Sequence, residues 1–89
     1  MNRKKAPEIF SDKEALSKAF LYIIEPSSPQ GIRTSALLAD LARDCNSWSE
    51  FLARVRAAKR GEKDRNQSAV LNYLEYRARY LEEEEEKNR

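Results

Sequence analysis

The sequence contains no histidine and a single cysteine, Cys45. Protein zinc sites usually take their ligands from cysteine and histidine, so these sites cannot form within the chain. Serine–histidine and cysteine–histidine catalysis need a histidine base, and both are excluded unless a partner supplies one. A lone cysteine cannot form an internal disulfide, so we expect a reducing, cytoplasmic location.

Glycine and long apolar runs are also scarce. The two glycines, Gly31 and Gly61, cannot form a glycine-rich phosphate loop. The longest apolar run, AFLYII, has six residues, whereas a helix that spans a bilayer needs about 20. No such run follows the basic first residues, so we expect no secretory signal. We expect a protein that is not an enzyme and that uses no metal, cofactor or membrane.

Signals for β-strands are missing as well. The sequence shows no sustained alternation of apolar and polar residues and no hairpin dipeptide. Apolar residues recur instead at spacings of three and four, which is the period of a helix with one buried face. The sequence therefore predicts an all-α fold, a small bundle of three short helices plus one longer C-terminal helix.

Capping residues and helix breakers predict the first two helices. Helix 1 is expected to begin at Ser11, where Glu14 completes a capping box, and to end before Pro26. Helix 2 is predicted over about residues 34–44, and Asn46 is expected to take the left-handed turn after it. The predicted apolar faces contain Leu16, Ala19, Phe20, Ile23 and Ile24 in helix 1, and Leu37, Leu38, Leu41 and Cys45 in helix 2.

The last two helices have equally clear signals. Ser47 and Glu50 form a second capping box, so helix 3 is predicted to begin there, and Gly61 is expected to end it. Helix 4 is predicted to begin within residues 64–68 and to continue toward the acidic residues 82–86. The predicted core faces contain Trp48, Phe51, Leu52, Val55 and Ala58 in helix 3, and Leu71, Leu74, Ala78 and Leu81 in helix 4.

Charge is distributed unevenly along the chain. The net charge is only +2, but residues 54–65 carry six basic and two acidic residues, and residues 82–86 are all glutamate. We predict a flexible basic arm (residues 1–10), a helical domain (11–81) and an acidic tail (82–89). A tail of this charge keeps the protein soluble or folds back on the basic segment and competes with an anionic partner.

The basic segment predicts a surface for nucleic acid. Neutralising a few phosphates there would give salt-sensitive binding without base reading. Helices 2 and 3 also have the outline of a helix-turn-helix, but the first residues of helix 3 include Glu50, which has the wrong sign for phosphate. The predicted nucleic-acid-binding residues are Arg54, Arg56, Lys59, Arg60, Lys63 and Arg65.

The C-terminal helix supports an alternative. Its apolar surface is wider than one small bundle needs, so a second seam is predicted to contact a partner protein or a second copy as a homodimer. Tyr76 and Arg79 lie beside this seam, and its tyrosines and arginines can also stack on unpaired bases. Glu75 and Arg79 are expected to form a surface pair. The predicted interface residues are Val70, Tyr73, Arg77 and Tyr80.

Two functions follow from these features. The first is a small regulatory or accessory protein that binds an anionic partner, most plausibly nucleic acid, through the basic segment. The second is a protein–protein adaptor or inhibitor that docks through the C-terminal helix. The local clustering of cations favours the first, and the modest net charge favours the second.

Overall fold

The computed structural model describes residues 5–20, 25 and 27–87, and this part of the chain forms five helices without any strand. The predicted all-α class is therefore confirmed. The division into three short helices and one long helix is only approximate, because a further short helix precedes the first predicted one. The helices are α1 (Ala6–Ser11), α2 (Lys13–Phe20), α3 (Pro29–Ala42), α4 (Trp48–Gly61) and α5 (Arg65–Lys87).

Asp12 separates the first two helices. Its carboxylate oxygen Oδ1 accepts hydrogen bonds from the backbone N–H groups of Glu14, at 3.0 Å, and Ala15, at 3.3 Å. Asp12 is therefore the residue that caps α2, in place of the predicted Ser11. The Ser11 hydroxyl instead donates to the carbonyl oxygen of Glu8 within α1. Because an aspartate carboxylate caps at least as well as a serine hydroxyl, the cap lies one residue later than expected.

Helix α1 occupies residues that we had assigned to a flexible arm. Ala6 and Ile9 are buried, and Phe10 packs against the core. Only Lys5 of the predicted basic arm precedes this helix within the described residues, and the cations Arg3 and Lys4 lie outside them. Helix α1 packs on the core although the sequence around it is polar. Burial of its apolar residues favours this packing because it removes apolar surface from water.

Helix α3 begins earlier than the sequence suggested. Ser28 accepts a hydrogen bond from the backbone N–H of Gly31 at 3.0 Å, and Pro29 occupies the first helical position. Both features favour a helix start. At the other end, the left-handed residue is Asp44, with φ 59°, and not Asn46. The predicted core residues Ile23 and Ile24, and the breaker Pro26, lie outside the described residues.

The predictions for α4 and α5 agree with the structure. The Ser47 hydroxyl accepts a hydrogen bond from the backbone N–H of Glu50 at 3.2 Å, and Gly61 is the last residue of α4. Helix α5 continues through the acidic residues 82–86 to Lys87. Although α5 has 23 residues, none of the helices in the described ranges is both long and apolar enough to cross a bilayer.

The core lies between these helices and contains an aromatic cluster, which we define as Phe10, Phe20, Trp48 and Phe51. The Phe10 ring lies 4.9 Å from Trp48 and 5.4 Å from Phe51, measured between ring centroids. Helices α4 and α5 form the most extensive helix pair. The cluster lies at the N-terminal end of α4. Other buried side chains continue the core along the pair, among them Leu38, Leu41, Leu52, Val55, Leu71, Leu74 and Ala78.

Candidate functional site

The predicted nucleic-acid-binding residues lie where α4 turns into α5. Residues 62–64 connect the two helices, and a connection this short makes them antiparallel neighbours. The last turns of α4 and the first turn of α5 therefore lie at the same end of the molecule. The structure brings together five of the six predicted cations at this end. We call Arg56, Lys59, Arg60, Lys63 and Arg65 the basic end.

Arg54 has a different role. Its guanidinium Nη1 donates hydrogen bonds to the carbonyl oxygen of Leu41, at 3.2 Å, and to that of Arg43. These carbonyls lie at the C-terminal end of α3, where no intrahelical N–H is available to them and where a cation interacts favourably with the helix dipole. Arg54 therefore ties α4 to the end of α3, and its guanidinium is engaged within the fold.

Glu75 of α5 binds two cations of the basic end. Its carboxylate oxygens contact Lys59 Nζ at 2.6 Å and Arg56 Nε at 2.8 Å. The hydrogen bonds from Lys59 and Arg56 hold the pKa of the Glu75 carboxyl below its ordinary value. A single carboxylate neutralises one of the two positive charges, so this contact fastens α4 to α5 and leaves a positive charge on the surface.

Three cations of the basic end project into solvent. Arg60, Lys63 and Arg65 are exposed, and none of them lies within salt-bridge distance of a carboxylate in residues 5–20, 25 and 27–87. Arg60 also lies in the last turn of α4, where a cation stabilises the helix terminus. Glu62 and Asp64 adjoin these cations in the connection and reduce the local positive field.

The acidic residues lie at the opposite end of α5. The Glu85 carboxylate oxygen Oε2 accepts a hydrogen bond from the backbone N–H of Ala6 at 2.8 Å, at the N-terminal end of α1. A carboxylate is stabilising at this position because it pairs with an unsatisfied helical N–H. Arg65 and Glu85 are roughly 30 Å apart along the helix axis at about 1.5 Å per residue. In this arrangement the acidic residues do not cover the basic end.

The predicted protein-interface residues are largely used within the fold. Val70 is buried, with 8% of its surface exposed. The Tyr73 hydroxyl donates to the carbonyl oxygen of Phe20, and Arg77 Nε donates to that of Ala19 at 2.8 Å. Tyr73 and Arg77 of the second seam are therefore bound to the end of α2. Of the four predicted residues, only Tyr80 is exposed, and the Arg77 guanidinium lies 5.0 Å from its ring centroid.

Tyr76 and Arg79 are the prominent side chains on the solvent face of α5. Tyr76 has 76% of its surface exposed, the largest value among the exposed large hydrophobic residues of the described chain. Arg79 was expected to pair with Glu75, but Glu75 binds α4 instead. No carboxylate of the described chain lies within salt-bridge distance of Arg79. Arg79 lacks its expected partner because Glu75 makes a tertiary contact with α4 instead.

The helix-turn-helix outline is present as α3, a turn at residues 43–47 and α4. The first exposed residues of α4 are Ser49 and Glu50, and the first cation, Arg54, is the seventh of the 14 residues of the helix. A recognition helix that reads bases contacts them with its N-terminal residues. This arrangement does not offer cations or amides at that position, so it favours contacts with phosphates over contacts with base edges.

A cavity of about 240 Å³ lies between the first turns of α3 and α5. Arg33 and Asp64 both line it, so its lining carries charges of both signs. Thr34 also lines it, and the buried Thr34 Oγ1 has no hydrogen-bond partner among the described residues. The Asp64 carboxylate already accepts the backbone N–H of Gln67 at 3.0 Å. The cavity is therefore polar without a net charge and does not extend the basic end.

Cys45 lies in the core, as the sequence predicted. Its Sγ contacts the carbonyl oxygen of Leu41 at 3.3 Å. Burial raises the pKa of the thiol, and the nearby Arg54 only partly offsets this. The thiol therefore stays protonated at neutral pH and is a poor nucleophile.

Neither a metal site in the described residues nor a similar known protein was found. Within residues 5–20, 25 and 27–87, no three side chains of the types that commonly bind metals are grouped as a metal site would require. Comparison of the chain with protein-family models, with curated proteins and with solved structures found no similar protein.

Proposed function

We propose that this protein is a non-enzymatic accessory protein that binds nucleic acid through its basic end. The observation that carries the proposal is the exposure of Arg60, Lys63 and Arg65 at one corner of the α4–α5 pair, without a carboxylate partner in the described chain. Cations placed in this way release counterions when they meet phosphates, which is the main source of sequence-independent affinity for nucleic acid.

The position of the acidic residues supports the same function. Glu85 is engaged with α1, about 30 Å along α5 from Arg65. This distance exceeds the screening length of about 8 Å at physiological ionic strength several-fold. The acidic end therefore does not compete with phosphate for the cations at the other end, and the field near the basic end stays positive despite the small net charge.

The binding mode that follows is contact with the phosphate backbone. Ser49 and Glu50 occupy the part of α4 that would read bases, so we expect little sequence preference. We also expect affinity to fall steeply as the salt concentration rises. The slope of log affinity against log salt concentration should be on the order of the number of phosphates neutralised.

A salt titration tests this proposal. Binding of a labelled mixed-sequence duplex and a labelled single strand is measured by fluorescence anisotropy at several salt concentrations, with Arg60→Glu as the variant. Removing one phosphate contact should lower the salt slope by about one, and reversing the charge should weaken binding about tenfold or more. Lys13→Glu on α2 is the matched control, because it makes the same change in net charge at an exposed site on another helix.

Two results would contradict the proposal. One is the absence of binding to either nucleic acid even at low salt. The other is an equal loss of affinity in Lys13→Glu and Arg60→Glu, which would mean that net charge alone, and not the basic end, determines the interaction.

Contact with a protein partner is a second candidate function, through a surface smaller than the one that the sequence predicted. Tyr76 and Tyr80 are 76% and 46% exposed, and tyrosine is enriched at protein interfaces. Val70, Tyr73 and Arg77 no longer support this function, because they pack within the fold. Sedimentation velocity at increasing concentration tests self-association. A dimer that forms with increasing concentration and that Tyr76→Ala/Tyr80→Ala abolishes would support self-association. A protein that stays monomeric at all concentrations would rule self-association out.

A further inference from the structure

Tyr76 stands at the centre of the solvent face of α5. At 100° per residue, its neighbours on the helix surface are Asn72, Tyr73, Arg79 and Tyr80, and all of these except Tyr73 are exposed. None of the aromatic contacts or hydrogen bonds in the described chain involves the Tyr76 ring or hydroxyl. A buried tyrosine stabilises the fold through its area, but a ring that is 76% exposed contributes little in this way. Its planar apolar surface is available to a partner.

The contact between Glu75 and α4 brings Arg56 and Lys59 to the side of α5 that adjoins its solvent face. Glu75 precedes Tyr76 on the helix and binds Arg56 and Lys59 of α4. Asn72 and Arg79 fill the helix surface between Glu75 and Tyr76. The basic end, Arg79 and Tyr76 therefore form one continuous surface. It extends roughly 16 Å along α5 from Arg65 to Tyr76, at about 1.5 Å per residue.

Tyr80 does not offer the same surface. Its ring already has the Arg77 guanidinium 5.0 Å from the centroid, and a smaller part of it is exposed. Tyr80 is also one helical turn closer to the acidic residues 82–86, which repel phosphate. Of the two exposed tyrosines, Tyr76 is the one with the unpaired Arg79 three residues away on the same helix face, and it lies farther from this repulsion.

We propose that the nucleic acid bound at the basic end is single-stranded, and that Tyr76 stacks on one of its bases. This inference rests on the proposed function and names its substrate class. Cations that follow the phosphates, with an exposed aromatic ring beside them, are the combination that proteins use to bind single strands without sequence preference. In a duplex the bases are stacked on one another, so a ring on the surface of a straight helix does not reach a base face.

Equilibrium binding of three tyrosine variants tests this inference. Anisotropy titrations compare a 20-nucleotide mixed-sequence single strand with the corresponding duplex. Loss of one stacking contact should weaken single-strand binding by Tyr76→Ala about fivefold or more, while duplex binding changes less than about twofold. Tyr76→Phe keeps the ring and should restore wild-type affinity. Tyr80→Ala is the matched control and should stay within about twofold of wild type.

A second measurement reports the stacking directly. In NMR spectra, the ring protons of Tyr76 should shift upfield when the single strand is added, because they enter the ring current of a base. The exposed position of Tyr76 makes misfolding of its variants unexpected, and far-UV circular dichroism checks this.

The outcomes separate this inference from the proposed function. If wild type binds nucleic acid and Arg60→Glu weakens it, but Tyr76→Ala binds the single strand as wild type does, the stacking inference is overturned and the proposed function stands. If wild type binds neither the single strand nor the duplex at low salt, both are overturned.

Discussion

The two ends of the α4–α5 pair contrast in how their characteristic residues are used. At one end, the aromatic cluster and the Glu85–Ala6 contact hold α1 against the core, so the charged and apolar side chains there stabilise the fold. At the basic end, Arg60, Lys63 and Arg65 contact no carboxylate of the described chain and remain in water. The acidic and basic residues thus have different fates: Glu85 binds the N-terminal end of another helix, whereas these three cations bind no carboxylate of the described chain.

Substitutions at the end that contains the aromatic cluster should change stability. The largest effect is expected at Phe51. This side chain is fully buried and contacts Phe10, Phe20 and Trp48. Phe51→Ala should lower the free energy of unfolding by about 3–5 kcal/mol, through lost burial and the cavity left behind. Urea denaturation followed by circular dichroism measures this change.

The control for Phe51→Ala is Phe51→Leu, which keeps most of the volume and should cost about 1 kcal/mol. Under conditions where Phe51→Leu is fully folded, its affinity for nucleic acid should equal that of wild type. A large loss of affinity in this variant would mean that the two ends are not independent.

Glu75 contributes both to the stability of the fold and to the charge of the basic end. Glu75→Gln should lower the free energy of unfolding by about 1 kcal/mol, because the contact is partly exposed and screened by solvent. The same variant should bind nucleic acid more tightly at low salt, because it releases one positive charge at the basic end. Glu14→Gln, which breaks the exposed pair with Lys18, is the control and should change neither quantity appreciably.

The Glu75 contact also predicts a dependence of stability on pH. The pKa of this carboxyl is lower in the folded protein than in the unfolded chain, so the unfolded state binds the proton more readily. Its contribution to stability is therefore complete above the ordinary carboxyl pKa and is lost as the pH falls from about 5 through the depressed value. Glu75→Gln should lose less stability over this range, and identical acid profiles for the two proteins would contradict the assignment.

The smallest expected effect is at the acidic end. Glu85→Ala removes the acceptor for the Ala6 N–H and should lower the free energy of unfolding by about 0.5–1 kcal/mol. Amide hydrogen exchange should show faster exchange in α1 and little change in α4. Glu83→Ala, an exposed position on the same helix, is the matched control. Equal exchange in the two variants would indicate that α1 docks without the Glu85 contact.

Local signals in the sequence predicted most of the helices. The capping box at Ser47 and the terminator Gly61 bound α4 correctly, and the apolar spacing of Leu71, Leu74 and Ala78 marked the buried face of α5. These features depend on residues three or four positions apart in the chain, so they can be recognised from the sequence alone. The break at Asp12 depended on a choice between two adjacent capping residues, and the sequence alone did not decide it.

The candidate site was harder to predict, because its geometry depends on tertiary contacts. A wide apolar face on α5 does not say whether α2 or a second molecule covers Tyr73 and Arg77. Glu75 had a possible partner four residues away in Arg79, but it binds Lys59 and Arg56 on another helix. The sequence shows these cations in one segment, and only the folded arrangement separates those that bind internally from those that face solvent.

The position of Trp48 gives this protein a built-in optical reporter. It is the only tryptophan in the chain, it is buried, and the ring of Phe10 on α1 rests against it. When α1 detaches, water gains access to the indole and its emission moves to longer wavelength. Trp48 is at the start of α4 and the basic end is at its other end, so ligand titrations should leave this emission unchanged. A shift of the emission therefore reports undocking of α1 and not occupancy of the basic end.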